Sequence, residues 1–370
     1  MSRRPRQDTG KLTVKRVVVA MSGGVDSSVA AAVLLEQGHE VIGVGLRLPE
    51  GLGSTRARPT CCGIAGMEDA RAVAARIDIP FYVLDYREAF AREVITPFCE
   101  AYAKGETPNP CSWCNARLKF GLLLDMALGL GADCLATGHY ARVEHESGDA
   151  RPILRKGLDP EHDQSYFLYS LTSQQLAHTL FPLGSLHKGE VREIARRLGL
   201  PVAEKPSSQD ICFVGAGGYR ELLARRCPEA LRPGPITDST GRVLGRHQGI
   251  GAYTVGQRRG LGIAAGEPLY VTRLDAPSNT IVVGTRSETY VRTLVVRRLN
   301  WLACDPPTAP VQLSVATRYR GSEAAADLVP DNGRVSVRFS SPHPIVAPGQ
   351  TAVFYSGDLL VGGGVVRAYA

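Results

Sequence analysis

Lysine is scarce in this 370-residue chain: only seven of its 43 basic residues are lysine, and the rest are arginine. Arginine's planar fork suits phosphates and base edges better than a point charge does, although a genome rich in G and C leaves the same bias. Long apolar runs are missing too. No stretch approaches the roughly 20 residues that span a bilayer, and the start, Met1 to Lys11, is basic and polar without the apolar segment of a signal peptide. A cytoplasmic protein with no membrane partner is the expectation. Nine cysteines, an odd number without a secretion signal, argue against a disulfide framework and make reactive or metal-binding thiols the better question. Repeats are absent, as is low complexity beyond the N-terminal tail. What remains is a chain long enough for two or three domains, 44% hydrophobic, with a net charge of +7 that favours polyanionic partners.

Two common nucleotide signatures are also missing. Between an apolar run, Val17 to Met21, and a helix-like run ending before Gly38 stands Ser22-Gly23-Gly24-Val25-Asp26-Ser27-Ser28. It lacks GxGxxG, which argues against a dinucleotide fold, and it lacks GxxxxGK[ST], so no lysine is expected at the terminal phosphates as in ordinary P-loop NTPases. A glycine turn between strand and helix still suits an anion. Gly23 and Gly24 permit positive φ and close backbone approach, the helix start supplies unpaired amides, and Ser22, Ser27 and Ser28 add hydroxyl donors. The string resembles the signature loop of the ATP pyrophosphatase superfamily, whose members grip the pyrophosphate end of ATP and transfer AMP to a substrate oxygen.

Hydrophobic periodicity in the first half alternates between strand and helix. Strands are predicted over 17–21, 40–48, 81–84 and 134–140, and helices over 26–37, 67–77, 87–104, 116–130, 173–180 and 188–198. That pattern implies a doubly wound parallel sheet with ligands at the carboxyl ends of its strands. From about Gly215 the runs become short and β-rich, including 269–274, 280–283, 311–316, 334–339 and 351–355, punctuated by turn residues such as Pro277-Ser278-Asn279. The expected organisation is a basic tail over 1–14, an α/β domain over 15–214, a small β domain over 215–284 and a β-barrel over 285–370.

Thr107-Pro108-Asn109-Pro110-Cys111-Ser112-Trp113-Cys114-Asn115 reads as a proline-stiffened loop leading into the helix at Ala116. Cys114 beside a helix N-terminus should have a lowered thiol pKa. A second polar loop, Lys205 to Phe213, displays Cys212. Cys99, Cys134, Cys227 and Cys304 read as small buried hydrophobes. Structural zinc at Cys111 and Cys114 stays open, but a lone CxxC without a matching pair is the weaker reading beside a reactive pair.

Taken in order, AMSGGVDSSVAA (20–31), CCGIAGMEDARAVA (61–74), TPNPCSWCNARLKFG (107–121), ATGHYAR (136–142), DQSYFL (163–168), KPSSQDICFVG (205–215), HQGIGAYTVGQRRGLGI (247–263) and RYR (318–320) closely resemble the tRNA-specific 2-thiouridylase family. That resemblance implies 2-thiolation of the wobble uridine of tRNA, of Lys, Glu and Gln acceptors, with ATP and Mg²⁺ and a persulfide donor such as a cysteine desulfurase or relay protein. Ala20, Met21, Ser22, Gly23, Gly24, Val25, Asp26, Ser27, Leu46 and Gly138 would contact ATP. Cys114 would be the nucleophile and Cys212 the persulfide carrier. Asn109, Pro110 and Cys111 would lie by the target base, and His139, His162, Asp163, Gln164, Arg318, Tyr319 and Gln350 would contact tRNA. Many relatives have aspartate in place of Cys111, so that residue's role does not transfer, and lysine is common in place of His162. A subgroup carrying this CxxC suggests an alternative in which Cys111, Cys114 and Cys212 ligate a [4Fe-4S] cluster. An ATP-dependent amidotransferase or ligase of the same superfamily is the alternative class.

Overall fold

A computed structural model of the chain describes residues 14–49, 64–145, 151–206, 211–215 and 217–369. The basic tail, Cys61 to Gly63 and Ser207 to Asp210 lie outside the described residues, as does Ala216 within the β-domain boundary.

The first strands follow directly from sequence. β1 (Arg16–Ala20) is a β-branched run buried on both faces, and it pairs in parallel with β2 (Glu40–Arg47), which pairs with β3 (Phe81–Asp85). On its other side β1 pairs with β4 (Cys134–Ala136), so the sheet order is β3-β2-β1-β4-β7 once β7 (Thr179–Leu180) joins at the edge. Alternation along β1 serves both layers: Val17 and Val19 enter the core beneath α1 (Val25–Glu36), while Val18 enters the core beneath the helices over 87–103 and 110–129. α2 (Ile64–Arg76) connects β2 to β3 on the α1 side.

Three boundaries differ from the sequence reading. The strand expected over 134–140 stops at Ala136, because Gly138 leaves the sheet to press against the start of α1: a Cβ there would stand 2.7 Å from the backbone of Asp26 and Ser27. The helix expected over 173–180 ends at Ala177, and Thr179 and Leu180 gain more by pairing with Leu135 and Ala136 at the sheet edge. The helix expected from Ala116 begins at Pro110, so both cysteines of the CxxC are helical.

The β-rich half forms two units. Beyond the helix Gly218–Arg226, strands β8 (Gly234–Thr237), β9 (Val243–His247), β10 (Tyr270–Asp275) and β11 (Thr280–Gly284) make a sheet of order β10-β11-β8-β9. Then β12 (Tyr290–Trp301), β13 (Val311–Ala316), β14 (Ala324–Asp331), β15 (Arg334–Pro344), β16 (Thr351–Ser356) and β17 (Leu359–Tyr369) close into a barrel through the β12–β17 pairing. A hairpin of β5 (Ala141–Glu144) and β6 (Ile153–Lys156), sequentially part of the α/β domain, pairs with β17. One apolar core runs through Phe98 and Phe120, reaches Phe213 and Leu223, and ends in the barrel at Val353 and Tyr355.

Candidate active site

Strand order reverses at β1, whose neighbours are β2 on one side and β4 on the other, and at this switch point the loops after β1 and β4 adjoin, Gly138 pressing on the backbone of Asp26 and Ser27. The first is the glycine loop. Gly23 sits at φ +74°, and a Cβ on it would lie 1.9 Å from the Gly66 carbonyl oxygen of α2, so both conformation and close packing demand glycine. Gly24 is the N-cap of α1 and no side chain caps the helix. The first-turn amides are therefore left to a ligand or to water. Of the three serines expected to offer hydroxyls, two turn inward. Ser27 and Ser28 donate to the Gly24 carbonyl at 3.2 and 2.8 Å, and the Ser22 amide donates to Ser27 Oγ at 3.2 Å. Their hydroxyls shape the loop, and Ser22 Oγ lies 3.4 Å from Ser27 Oγ within it, so the first-turn amides are what the loop offers an anion. Ala20 and Met21 end the strand, with the Met21 amide donating to Val44 O, and Leu46 is buried at the carboxyl end of β2.

Although the loop carries no P-loop lysine, two lysines from elsewhere in the chain reach it. Lys205 Nζ donates to the Gly23 carbonyl at 2.9 Å and to Asp69 at 2.6 Å, while Lys188 Nζ donates to Asp26 Oδ1 at 2.5 Å, an oxygen that also accepts from Tyr140 OH at 2.8 Å. Both lysines come from far along the chain, which is why no local motif announced them. Lys205 and Tyr140 stand inside the quoted stretches KPSSQDICFVG and ATGHYAR; Lys188 stands outside all of them.

The second loop, 137–140, follows β4. His139 bonds Thr137 Oγ1 through Nδ1 at 2.7 Å and stands 6.1 and 6.0 Å from the rings of Phe120 and Phe181. Burial pushes its pKa well below the usual histidine value, with Lys119 adding to the effect, so the imidazole is neutral. Phe120 belongs to the helical segment that also carries the CxxC, so this segment packs against the loop after β4. In that helix Asn109 is the N-cap, its side chain accepting from the Ser112 amide at 3.4 Å, and Pro110 is the first helical residue. From Cys114 to Leu123 the turns widen to π-helical geometry, a departure often found at functional sites.

The thiols depart from expectation. Burial raises the pKa of Cys114, with Lys119 pulling the other way, and because the helix starts at Pro110 the thiol does not stand at the helix terminus expected to lower it. Cys111 is pushed the same way by its crowded surroundings and by Cys114, an effect its exposed face moderates. Cys212 is half-buried and packs, like Cys114, against the core that links all three units. Cys99, Cys134 and Cys227 are buried as expected; Cys304 is exposed, a consequence of its place in the turn after β12.

Barrel residues hold the segment before the CxxC. The Thr107 amide donates to Pro348 O at 2.7 Å, Gln350 Nε2 donates to Thr107 O at 2.8 Å, Asn109 Nδ2 donates to Thr351 Oγ1 at 3.3 Å, and Arg297 donates to Glu106 at 2.6 Å. Thr107 Oγ1, Ser112 Oγ and Arg297 Nε, at or next to this seam, are buried without a hydrogen-bond partner. Of the residues expected to meet tRNA, Gln350 thus has its amide engaged inside the molecule. Asp163 accepts from the Gly157 and Ser165 amides and the Ser165 hydroxyl, and Gln164 Oε1 accepts from the Tyr140 amide at 3.1 Å. His162 bonds Asp159 at 3.0 Å beside the Tyr140 ring. Tyr319 packs 4.6 Å from Phe167 with Arg320 against its other side, and Arg318 is exposed.

Among the described residues no three Asp, Glu, His or Cys side chains stand close enough to hold a metal ion together. Cys111, Cys114 and Cys212 therefore give no three-thiol cage. The carboxylates Asp26 in α1 and Asp69 in α2, each engaged by a lysine, fit a magnesium ion carried mainly by phosphate oxygens.

A parallel sheet with an uncapped glycine loop at its switch point, followed by a small β domain and a closed barrel, defines the class: an ATP pyrophosphatase of HUP architecture with appended β modules. Family models agree, matching residues 15–216 as "tRNA methyl transferase HUP domain", 220–285 as "tRNA methyl transferase PRC-barrel domain" and 291–366 as "Aminomethyltransferase beta-barrel domain". Curated relatives named "tRNA-specific 2-thiouridylase MnmA" include those of Moorella thermoacetica, 49% identical over 95% of this chain and 99% of the relative, and Rhodospirillum centenum, 50% identical over 96% and 92%. The relative from Clostridium acetobutylicum is 45% identical over 95% and 99%. The chain belongs to the tRNA-specific 2-thiouridylase family.

Proposed function

We propose that this enzyme replaces the C2 oxygen of the wobble uridine of tRNA with sulfur, consuming ATP. The reading is supported by an uncapped glycine loop at the start of α1 in the same α/β domain as a helix bearing Cys111 and Cys114, with Cys114 and Cys212 packed against one core. An amidotransferase or ligase has no need of those thiols.

The chemistry follows from the parts. A uridine carbonyl is a poor electrophile, so O2 attacks the α-phosphorus of ATP, pyrophosphate leaves and AMP becomes the leaving group at C2. The amides at the start of α1 and the Gly23-Gly24 turn hold the phosphates. Asp26 and Asp69 would help hold a magnesium ion carried mainly by the phosphates, which would neutralise phosphate charge. A donor protein delivers sulfane sulfur to Cys212 as a persulfide. Cys114, once deprotonated, attacks the inner sulfur of that persulfide, forming a Cys114–Cys212 disulfide and releasing hydrosulfide, which displaces AMP from C2. Two thiol sulfurs are oxidised as the sulfane sulfur is reduced, and an external dithiol reopens the disulfide. The α/β domain over 15–214 is read as the catalytic unit, with the domains over 215–284 and 285–370 presenting the tRNA and Asn109 to Cys111 next to its target base.

The test combines protein, ATP, Mg²⁺, tRNA and a persulfide donor under reducing anaerobic conditions, with 2-thiouridine and AMP measured together. Stoichiometric formation of both is expected. No thiolated base refutes the reading, and Cys212→Ser retaining full persulfide-dependent turnover refutes the role given to Cys212.

A further inference from the structure

Two of only seven lysines converge on the glycine loop, in a chain that otherwise uses arginine for positive charge. Both are largely sequestered, with side-chain exposures of 11% for Lys188 and 19% for Lys205. Burying an ammonium is costly unless it has partners or a task. Lys188 opens the helix Lys188–Arg197, where its amide donates to Asp159 at 2.9 Å, and its ammonium lies 5.6 Å from the centre of the Tyr140 ring. Lys205 approaches from the segment beyond that helix.

The plain alternative is that each lysine only neutralises a carboxylate and ties helices together. One contact speaks against it. Lys205 divides its donors between Asp69 and the carbonyl of Gly23, the residue whose positive φ shapes the turn, so the ammonium is held at the turn itself. A compact ammonium, unlike a planar guanidinium, can serve several phosphate oxygens from one point within so tight a loop. Electrostatics agree: without the lysines, Asp26 and Asp69 would set two negative charges beside an incoming polyphosphate.

We propose that Lys188 and Lys205 are phosphate-binding residues that neutralise the β,γ-pyrophosphate of ATP and stabilise pyrophosphate as it leaves, supplying from distant sequence what a GK[ST] motif supplies locally. This rests on the ATP-dependent reading above. On nucleotide binding the two ammonium groups exchange the Gly23 carbonyl and part of their carboxylate contacts for phosphate oxygens.

The test measures affinities of the full-length protein for ATP, inorganic pyrophosphate and AMP by calorimetry. Lys205→Met and Lys188→Met are each expected to weaken ATP and pyrophosphate at least 10-fold and AMP less than 2-fold, because AMP lacks the β and γ groups. Lys205→Met combined with Asp69→Asn removes the ion pair as a neutral unit and guards against loss of fold. It should bind ATP as weakly as Lys205→Met. Wild-type ATP affinity in that double variant would show that Lys205 serves only to pair with Asp69 and would overturn the inference, as would equal losses for ATP and AMP in well-folded single variants. Wild-type protein that binds no ATP is a separate outcome and refutes the parent reading instead.

Discussion

Gly23 is where conformation and packing impose the same residue for different reasons. An L side chain at φ +74° costs roughly 1–2 kcal/mol, and a Cβ 1.9 Å from the Gly66 carbonyl forces α2 to move. Gly23→Ala is expected to lower the thermal midpoint by several degrees and weaken ATP at least 10-fold; calorimetry and a melt check both, and an unchanged affinity refutes the loop's role. His139 offers a second prediction at this scale. Its folded pKa lies well below 6.5, as burial disfavours the imidazolium, and those of His145, His247 and His343 are lowered in the same direction. Depressed histidines bind fewer protons folded than unfolded, so their contribution is present above pH 6.5 and is lost as pH falls below it. The thermal midpoint should drop between pH 7.5 and 5.5, and His139→Gln should flatten that drop. An equally steep profile in the variant would exclude His139 as a source.

At the scale of elements, the seam between β16 and the segment before the CxxC matters most. The family resemblance implies that Gln350 contacts tRNA; in the fold its amide also holds the Thr107 carbonyl, three residues from the start of the thiol helix. Replacing it with alanine removes one hydrogen bond, a loss of about 1 kcal/mol, at a place that sets where Cys114 stands. Gln350→Ala is expected to reduce kcat by 3- to 10-fold with tRNA Kd within 2-fold of wild type. The reverse pattern would restore Gln350 to the RNA surface. Elements were legible in sequence where both faces of a strand are apolar, as in β1, or where a terminator is clear, as at Gly38 and Gly199. They were misread where a tertiary partner decided: Thr179 and Leu180 pair with β4, and Pro110, expected in a loop, starts a helix because Asn109 caps it.

Across the whole molecule, arginine-rich β modules share a core with the α/β domain, which fixes the barrel relative to the glycine loop. Arg318 and Arg320 flank Tyr319, which packs on Phe167 of the catalytic domain. Neutralising both arginines should weaken tRNA binding about equally across sequences and flatten the dependence of log Kd on log salt by about one for each phosphate no longer neutralised. A salt titration of wild type and double variant checks this; parallel slopes would remove the pair from the interface.

By itself the sequence determined the doubly wound sheet, the glycine turn at its switch point, the β-rich half and the family, because each is written in local periodicity or contiguous motifs. Only the tertiary structure decided what surrounds the turn. Lys188, Lys205, Tyr140 and Asp69 reach the glycine loop through folding, as Gln350 reaches Thr107. Folding decided the thiols as well, since Cys114 is buried and the helix starts at Pro110, not beside it. Spacing records what neighbours along the chain can do, whereas charge pairing and solvent exclusion depend on residues far apart in sequence and close in space.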